Sequence, residues 1–171
     1  MYLYLFKILS IRYGWFEVRI GQSELDWSDY LGYDAPKILL QAVINLTKNN
    51  SQEEWVCCMG EPCADILHIV KEKNEIKLEL FDTIEESYEI DLNNMKPYCK
   101  KCYATYQMEW ITFLDNLVTE FSLYENGNGL CLYQENWMNF PSKEFHILKD
   151  LARSMVKNKE DSELFFNTYM R

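Results

Sequence analysis

The chain has 171 residues, 48% of them hydrophobic and 15% aromatic, with a formal net charge of −10. That length fits one domain, at roughly 100–200 residues per domain, and the apolar content excludes intrinsic disorder. Nucleic-acid binders need clustered Lys and Arg to displace counterions from phosphate, so the acidic balance excludes that class, and an anionic membrane surface repels such a chain as well.

Tyr2, Tyr4, Phe6 and Ile8 alternate with Leu3, Leu5, Lys7 and Leu9. Both sets are largely apolar, which predicts a strand covered on both faces. This stretch lacks a basic start and is too short to span a bilayer, so it reads as neither signal peptide nor membrane span. Six cysteines in a chain that is not loop-rich then point to free thiols in a reducing cytoplasm. Tyr13-Gly14 offers a turn, and Phe16, Val18 and Ile20 alternate with Glu17 and Arg19, completing a hairpin. Gln22 to Asp34 holds Glu24, Asp26, Asp29 and Asp34 with no Lys or Arg, interleaved with Trp27, Tyr30 and Tyr33. It reads as an acidic stretch interleaved with aromatics. Asp34 then caps a helix that has Pro36 in its first turn. Ile38, Leu39, Ala42, Val43 and Leu46 fall at helical spacing, and Asn49-Asn50 marks the end.

Glu53 to Leu92 organises the rest. Trp55–Cys58 is a short strand, Gly60-Glu61-Pro62 a break, and Ile66–Val70 a strand containing His68. Lys71–Asn74 is predicted to turn this strand back onto Ile76–Leu80. Thr83–Ser87 separates a last strand, Tyr88–Leu92. The alternation describes a sheet with one oily face and one wet, mostly acidic face. After a polar connection from Asn93 to Tyr98 the sequence turns helical, and Trp110, Leu114, Leu117, Val118 and Phe121 line one face of a long helix stopped at Glu125-Asn126-Gly127. Leu130–Tyr133 reads as a short extended piece. Ser142 caps a further helix with Glu144 in its first turn and Phe145, Leu148, Ala152 and Met155 buried. Residues 163–170 fit a helix or a strand. The whole, 1–171, is predicted to be a single α+β domain: an antiparallel sheet of about five to seven strands packed against about three helices.

Chemistry is sparse. Cys99-Lys100-Lys101-Cys102 is the most motif-like item, but tetrahedral zinc wants four ligands, and Cys57, Cys58 and Cys63 are not spaced as a second pair. No unit of the thioredoxin type surrounds it. His68 reads as a core or sheet-face histidine and His146 as partly exposed, and neither has a nucleophile at a telling spacing. Paired acids such as Glu53-Glu54, Glu85-Glu86 and Glu160-Asp161 read as solvated turns, and no phosphate cradle, HExxH or GxSxG occurs. No catalytic residue, metal or cofactor is expected. What remains is an acidic surface interleaved with aromatics, suited to capturing a basic protein. The residues assigned to that partner are Glu24, Asp26, Trp27, Asp29 and Tyr30, with Asp82, Glu85, Glu86 and Glu89 in a second stretch.

The hairpin ending in Trp15-Phe16-Glu17-Val18, the Asp29-Tyr30-Leu31-Gly32-Tyr33-Asp34-Ala35-Pro36 approach to a helix, Gly60-Glu61-Pro62 after the Trp55 strand, the β-meander and Trp137-Met138-Asn139-Phe140-Pro141 before the final helix carry a resemblance. Together they resemble the immunity proteins of bacterial polymorphic toxin systems, contact-dependent inhibition systems included. The resemblance spans most of the chain. It implies a small cytosolic protein that binds one cognate toxin domain and carries no catalytic residues. The expected function is neutralisation of a basic toxin domain, a nuclease, by masking its active surface. The alternative is a small enzyme or metal-binding regulator using Cys99 and Cys102.

Overall fold

A computed structural model describes residues 5–29, 32–60, 63–86 and 89–169, with 85–86 and 158–169 described as backbone only. The elements run β1 (Phe6–Arg12), β2 (Trp15–Ile20), β3 (Ser23–Ser28), α1 (Ala35–Thr47), β4 (Glu53–Met59), β5 (Cys63–Glu72), β6 (Glu75–Glu86), β7 (Cys99–Glu109), α2 (Trp110–Ser122), α3 (Gly127–Asn136) and α4 (Ser142–Tyr169). The fold is α+β, but its strands divide into two antiparallel sheets, β1-β2-β3 and β4-β5-β6-β7, rather than one. The sheets share a core. Val56, Cys58, Leu67, Ile69, Leu78 and Leu80 from the larger sheet meet Phe16, Val18, Leu25 and Trp27 from the smaller, with α1, α2 and α4 closing around them.

Local chemistry explains several elements directly. Lys73 adopts φ +53° in the turn between β5 and β6, and Glu72 pairs with Glu75, so Ile66–Val70 does run antiparallel to β6. Asp34 caps α1 by accepting from Lys37 N at 3.3 Å, with Pro36 in the first turn. Its carboxylate also accepts from Trp137 Nε1 at 3.2 Å, and burial raises its pKa above the ordinary carboxylate value. Between β2 and β3, Gly21 sits at φ +60°, and a Cβ there would stand 2.2 Å from Tyr106 Cε1. Tyr106 needs that space, because its hydroxyl bonds Ser23 Oγ at 2.9 Å and accepts from Gln22 N at 3.1 Å. Gly21→Ala is expected to lose about 1–3 kcal/mol through overpacking at a backbone angle that disfavours Ala. Chemical denaturation checks this; an unchanged midpoint would mean the Tyr106 contact is not formed.

Other expectations are corrected. Ser23–Ser28 is a strand, with Leu25 and Trp27 turned inward and Glu24 and Asp26 outward. β6 does not break at Thr83 but runs on to Glu86. Residues 89–92 form no strand; Ile90 instead buries its side chain with Met95 against Cys57, Met59, Ala64 and Ile66. The second face of the larger sheet is therefore apolar at one end, not uniformly wet. Cys99–Glu109 is a strand, and Leu130–Tyr133 lies within α3. The first strand begins at Phe6 within the described residues; positions 2–4 lie outside them. Residues 163–169 continue α4 as helix. No helix among the described residues is long and apolar enough to cross a membrane.

The outer edge of β1 is sealed by α2. Asn116 Oδ1 accepts from Phe6 N at 2.7 Å and Glu120 Oε2 accepts from Ile8 N at 3.0 Å, both buried. Residues i and i+4 of a helix rise about 6 Å, close to the roughly 6.7 Å between i and i+2 of a strand, so two successive outward N–H groups find two side chains one turn apart.

Candidate functional site: the outer face of the smaller sheet

Alternation along β2 and β3 decides this face. With Phe16, Val18, Leu25 and Trp27 inside, Trp15, Glu17, Arg19, Glu24 and Asp26 lie outside. The register lines up Ser10, Glu17 and Asp26 across three strands and sets Arg19 opposite Glu24. Arg12 pairs with Glu17 and Arg19 with Glu24. The Ser10 hydroxyl donates to Glu17 at 2.6 Å, and this bond, with the Arg12 pair behind it, lowers the Glu17 pKa. Asp26 faces the like-charged Glu17 and makes no ion pair among the described residues. Like charges directly opposite are destabilising in a sheet, so this face is not arranged for stability alone.

Beside Asp26 is a shallow cavity of about 410 Å³, bounded by Arg12, Tyr13, Trp15 and Glu17. Tyr13 is 90% exposed and holds φ +51°, a left-handed conformation uncommon for any residue but Gly. The turn is fixed from behind. Tyr13 N donates to Asn136 Oδ1 at 3.2 Å, Gly14 N donates to Asn136 O at 2.8 Å, and Asp29 N donates to Gly14 O at 3.0 Å. An aromatic ring is thus presented on a backbone already ordered, which lowers the entropy cost of using it in a contact.

Near Gly60 the backbone of β3 approaches the start of β5. A Cβ on Gly60 would stand 3.8 Å from Asp26 O and 2.5 Å from Cys63 O. Cys63 pairs with Glu86, and Asp65 with Asp82. Gly60 therefore lies between β3 and the start of β5, which pairs with the end of β6. Asp65 accepts from Tyr103 OH at 2.8 Å, and burial, with Asp82 adding to it, raises its pKa. Of the residues assigned from sequence, Glu24, Asp26, Asp29, Asp82 and Glu89 are exposed. Trp27 is 0% exposed and is a core residue in this fold, because β3 turns it inward. Tyr30 and the side chains of Glu85 and Glu86 lie outside the described residues. Tyr13, Trp15, Asp65 and Tyr103 were not singled out by sequence; the Tyr13-Gly14 turn was legible, but not that its tyrosine projects.

A second constellation lies on the wet part of the larger sheet. His68 stacks on Trp55 with ring centroids 3.8 Å apart, its Nδ1 3.0 Å from Glu79 and its Nε2 3.0 Å from Glu53. Lys77 and then His68 lower the Glu79 pKa. The cluster ties β4, β5 and β6 together. Both ring nitrogens are occupied by carboxylates, and burial pushes the Cys57 thiol up to about 12, so no imidazole–thiolate pair forms there. Cys99 and Cys102 lie three residues apart along β7, about 10 Å at a strand's rise and beyond disulfide reach. Among the described residues, no group of three or more His, Cys, Asp or Glu is placed to hold a metal.

No family model, curated protein or solved structure matches the chain. The functional reading rests on its own surface.

Proposed function

We propose that the protein is an immunity-type inhibitor that binds a basic toxin domain, of the nuclease kind, and masks its active surface. The observation that carries this reading is the outer face of the smaller sheet, where exposed Asp26 stands opposite Glu17 without an ion pair among the described residues, beside the projecting Tyr13, with a further acidic pair, Asp65 and Asp82, across β5 and β6. Carboxylates stand where such a partner expects phosphates, and Tyr13 and Trp15 fill its groove. The alternative use of Cys99 and Cys102 has less support, since β7 holds them apart.

The test is association kinetics with candidate basic toxin domains. Opposite charge fields raise encounter rates by roughly 10–1000-fold at low ionic strength, and screening over a Debye length of about 8 Å removes much of this at physiological salt. Reversing Asp26 and Asp29 to Lys, or Glu85 and Glu86, is expected to slow association more than it speeds dissociation. Tyr13→Ala is expected to raise the off-rate instead. An association rate indifferent to salt and to these reversals would sink the masking mechanism.

A further inference from the structure

α2 and α4 pack side by side, and an open groove of about 390 Å³ lies between them. Each helix turns its best apolar stripe inward: Trp110, Phe113, Leu114, Leu117 and Phe121 on α2, Phe145, Leu148 and Ala152 on α4. Residues just off those stripes, Ile111 and Val118 on one wall and Val156 on the other, are left to floor the groove. Val156 is 40% exposed. Lys149, Arg153 and Lys157 follow at intervals of four along α4 and line the same groove, a stripe about 12 Å long at a helix's rise. Like charges spaced by four on a helix repel, and an anion between them relieves this. Lys149 already holds Glu125 at 2.6 Å, whereas among the described residues Arg153 pairs with Asp150 alone, at 3.8 Å. Among the described residues Asp115 is the single carboxylate lining the groove, and it makes no ion pair with the three cations.

We infer that this groove binds a single-tailed amphipathic anion, its carboxylate or sulfate head on Arg153 and Lys157 and its hydrocarbon tail along Ile111, Val118 and Val156. The volume lies within the roughly 300–1,000 Å³ range of small-molecule sites. The chain as a whole is strongly acidic. Bulk charge therefore repels such a ligand and attracts its cationic counterpart, so selectivity for the anion must come from the groove. The inference is independent of the toxin-inhibitor reading.

The experiment titrates the full chain with laurate, below its micelle concentration, by calorimetry and amide NMR, with dodecyltrimethylammonium as the matched cation. One laurate per chain is expected, shifting amides around Ile111, Val118 and Val156. Arg153→Glu and Lys157→Glu should each weaken binding about tenfold, the effect of losing one charge-assisted hydrogen bond. Val156→Glu should abolish binding, with circular dichroism confirming that each variant is folded. Absence of saturable laurate binding would overturn the site. So would affinity unchanged in Arg153→Glu, or equal shifts from the cationic amphiphile. Capture by phosphatidylglycerol vesicles without binding of free laurate would also overturn it and make the stripe a membrane contact.

Discussion

Replacing Asn116 and Glu120 together by Ala is expected to cost about 3–6 kcal/mol, much of the 5–15 kcal/mol that holds a typical domain folded. Each side chain accepts from a buried backbone N–H of β1, at 2.7 Å from Phe6 and 3.0 Å from Ile8. Truncation strands both donors out of reach of water, and a buried donor left without a partner costs about 1–3 kcal/mol, more when the lost acceptor was ionised. Urea denaturation of the double and single variants measures this. Glu120→Gln keeps an acceptor oxygen and is expected to lose less than Glu120→Ala. If the double variant lost under about 1 kcal/mol, water would have to reach β1, and α2 would not seal its edge.

Trp27→Ala is expected to cost about 3–5 kcal/mol, the usual price of deleting a large buried aromatic. The indole stacks on Phe16 with centroids 5.8 Å apart and lies 6.3 Å from Phe6. Its Nε1 has no oxygen or nitrogen acceptor among the described residues and only the Cys58 thiol, a weak acceptor, beside it, so Trp27→Phe forfeits area and little polar contact and should recover much of the loss. The same variant separates core from interface. A core Trp27 lowers the denaturation midpoint; a surface anchor would leave it in place and raise only the off-rate from a partner.

The central meander was legible because its residues alternate without ambiguity: Ile76, Leu78 and Leu80 against Lys77 and Glu79, with a polar turn before them. The cap at Asp34 was equally plain. β3 was obscured by composition, since four acids in thirteen residues hid a two-residue alternation of Leu25 and Trp27. β7 alternates too, but with Ala104, Tyr106 and Met108, side chains weak or ambiguous as core markers, and its first half is Cys and Lys. α3 opens with Gly-Asn-Gly and buries only Tyr133 fully, so it carries almost no helical stripe. At the candidate site, sequence located the acids but not their company. Asp26 meets Glu17 and Tyr13, and Asp65 meets Asp82 and Tyr103, only through strand register and side-chain contacts to which no local period refers.

The sealing of β1 also bears on how the chain avoids polymerising. An open strand edge is a template onto which another chain can add. At β1 the covering helix lies more than 100 residues further along the chain, so the edge stays open until α2 has docked. During synthesis the first hairpin emerges well before its cover. Any condition that loosens α2 while leaving the smaller sheet intact reopens that edge, and strand addition there, rather than loss of the core, becomes the route to aggregation.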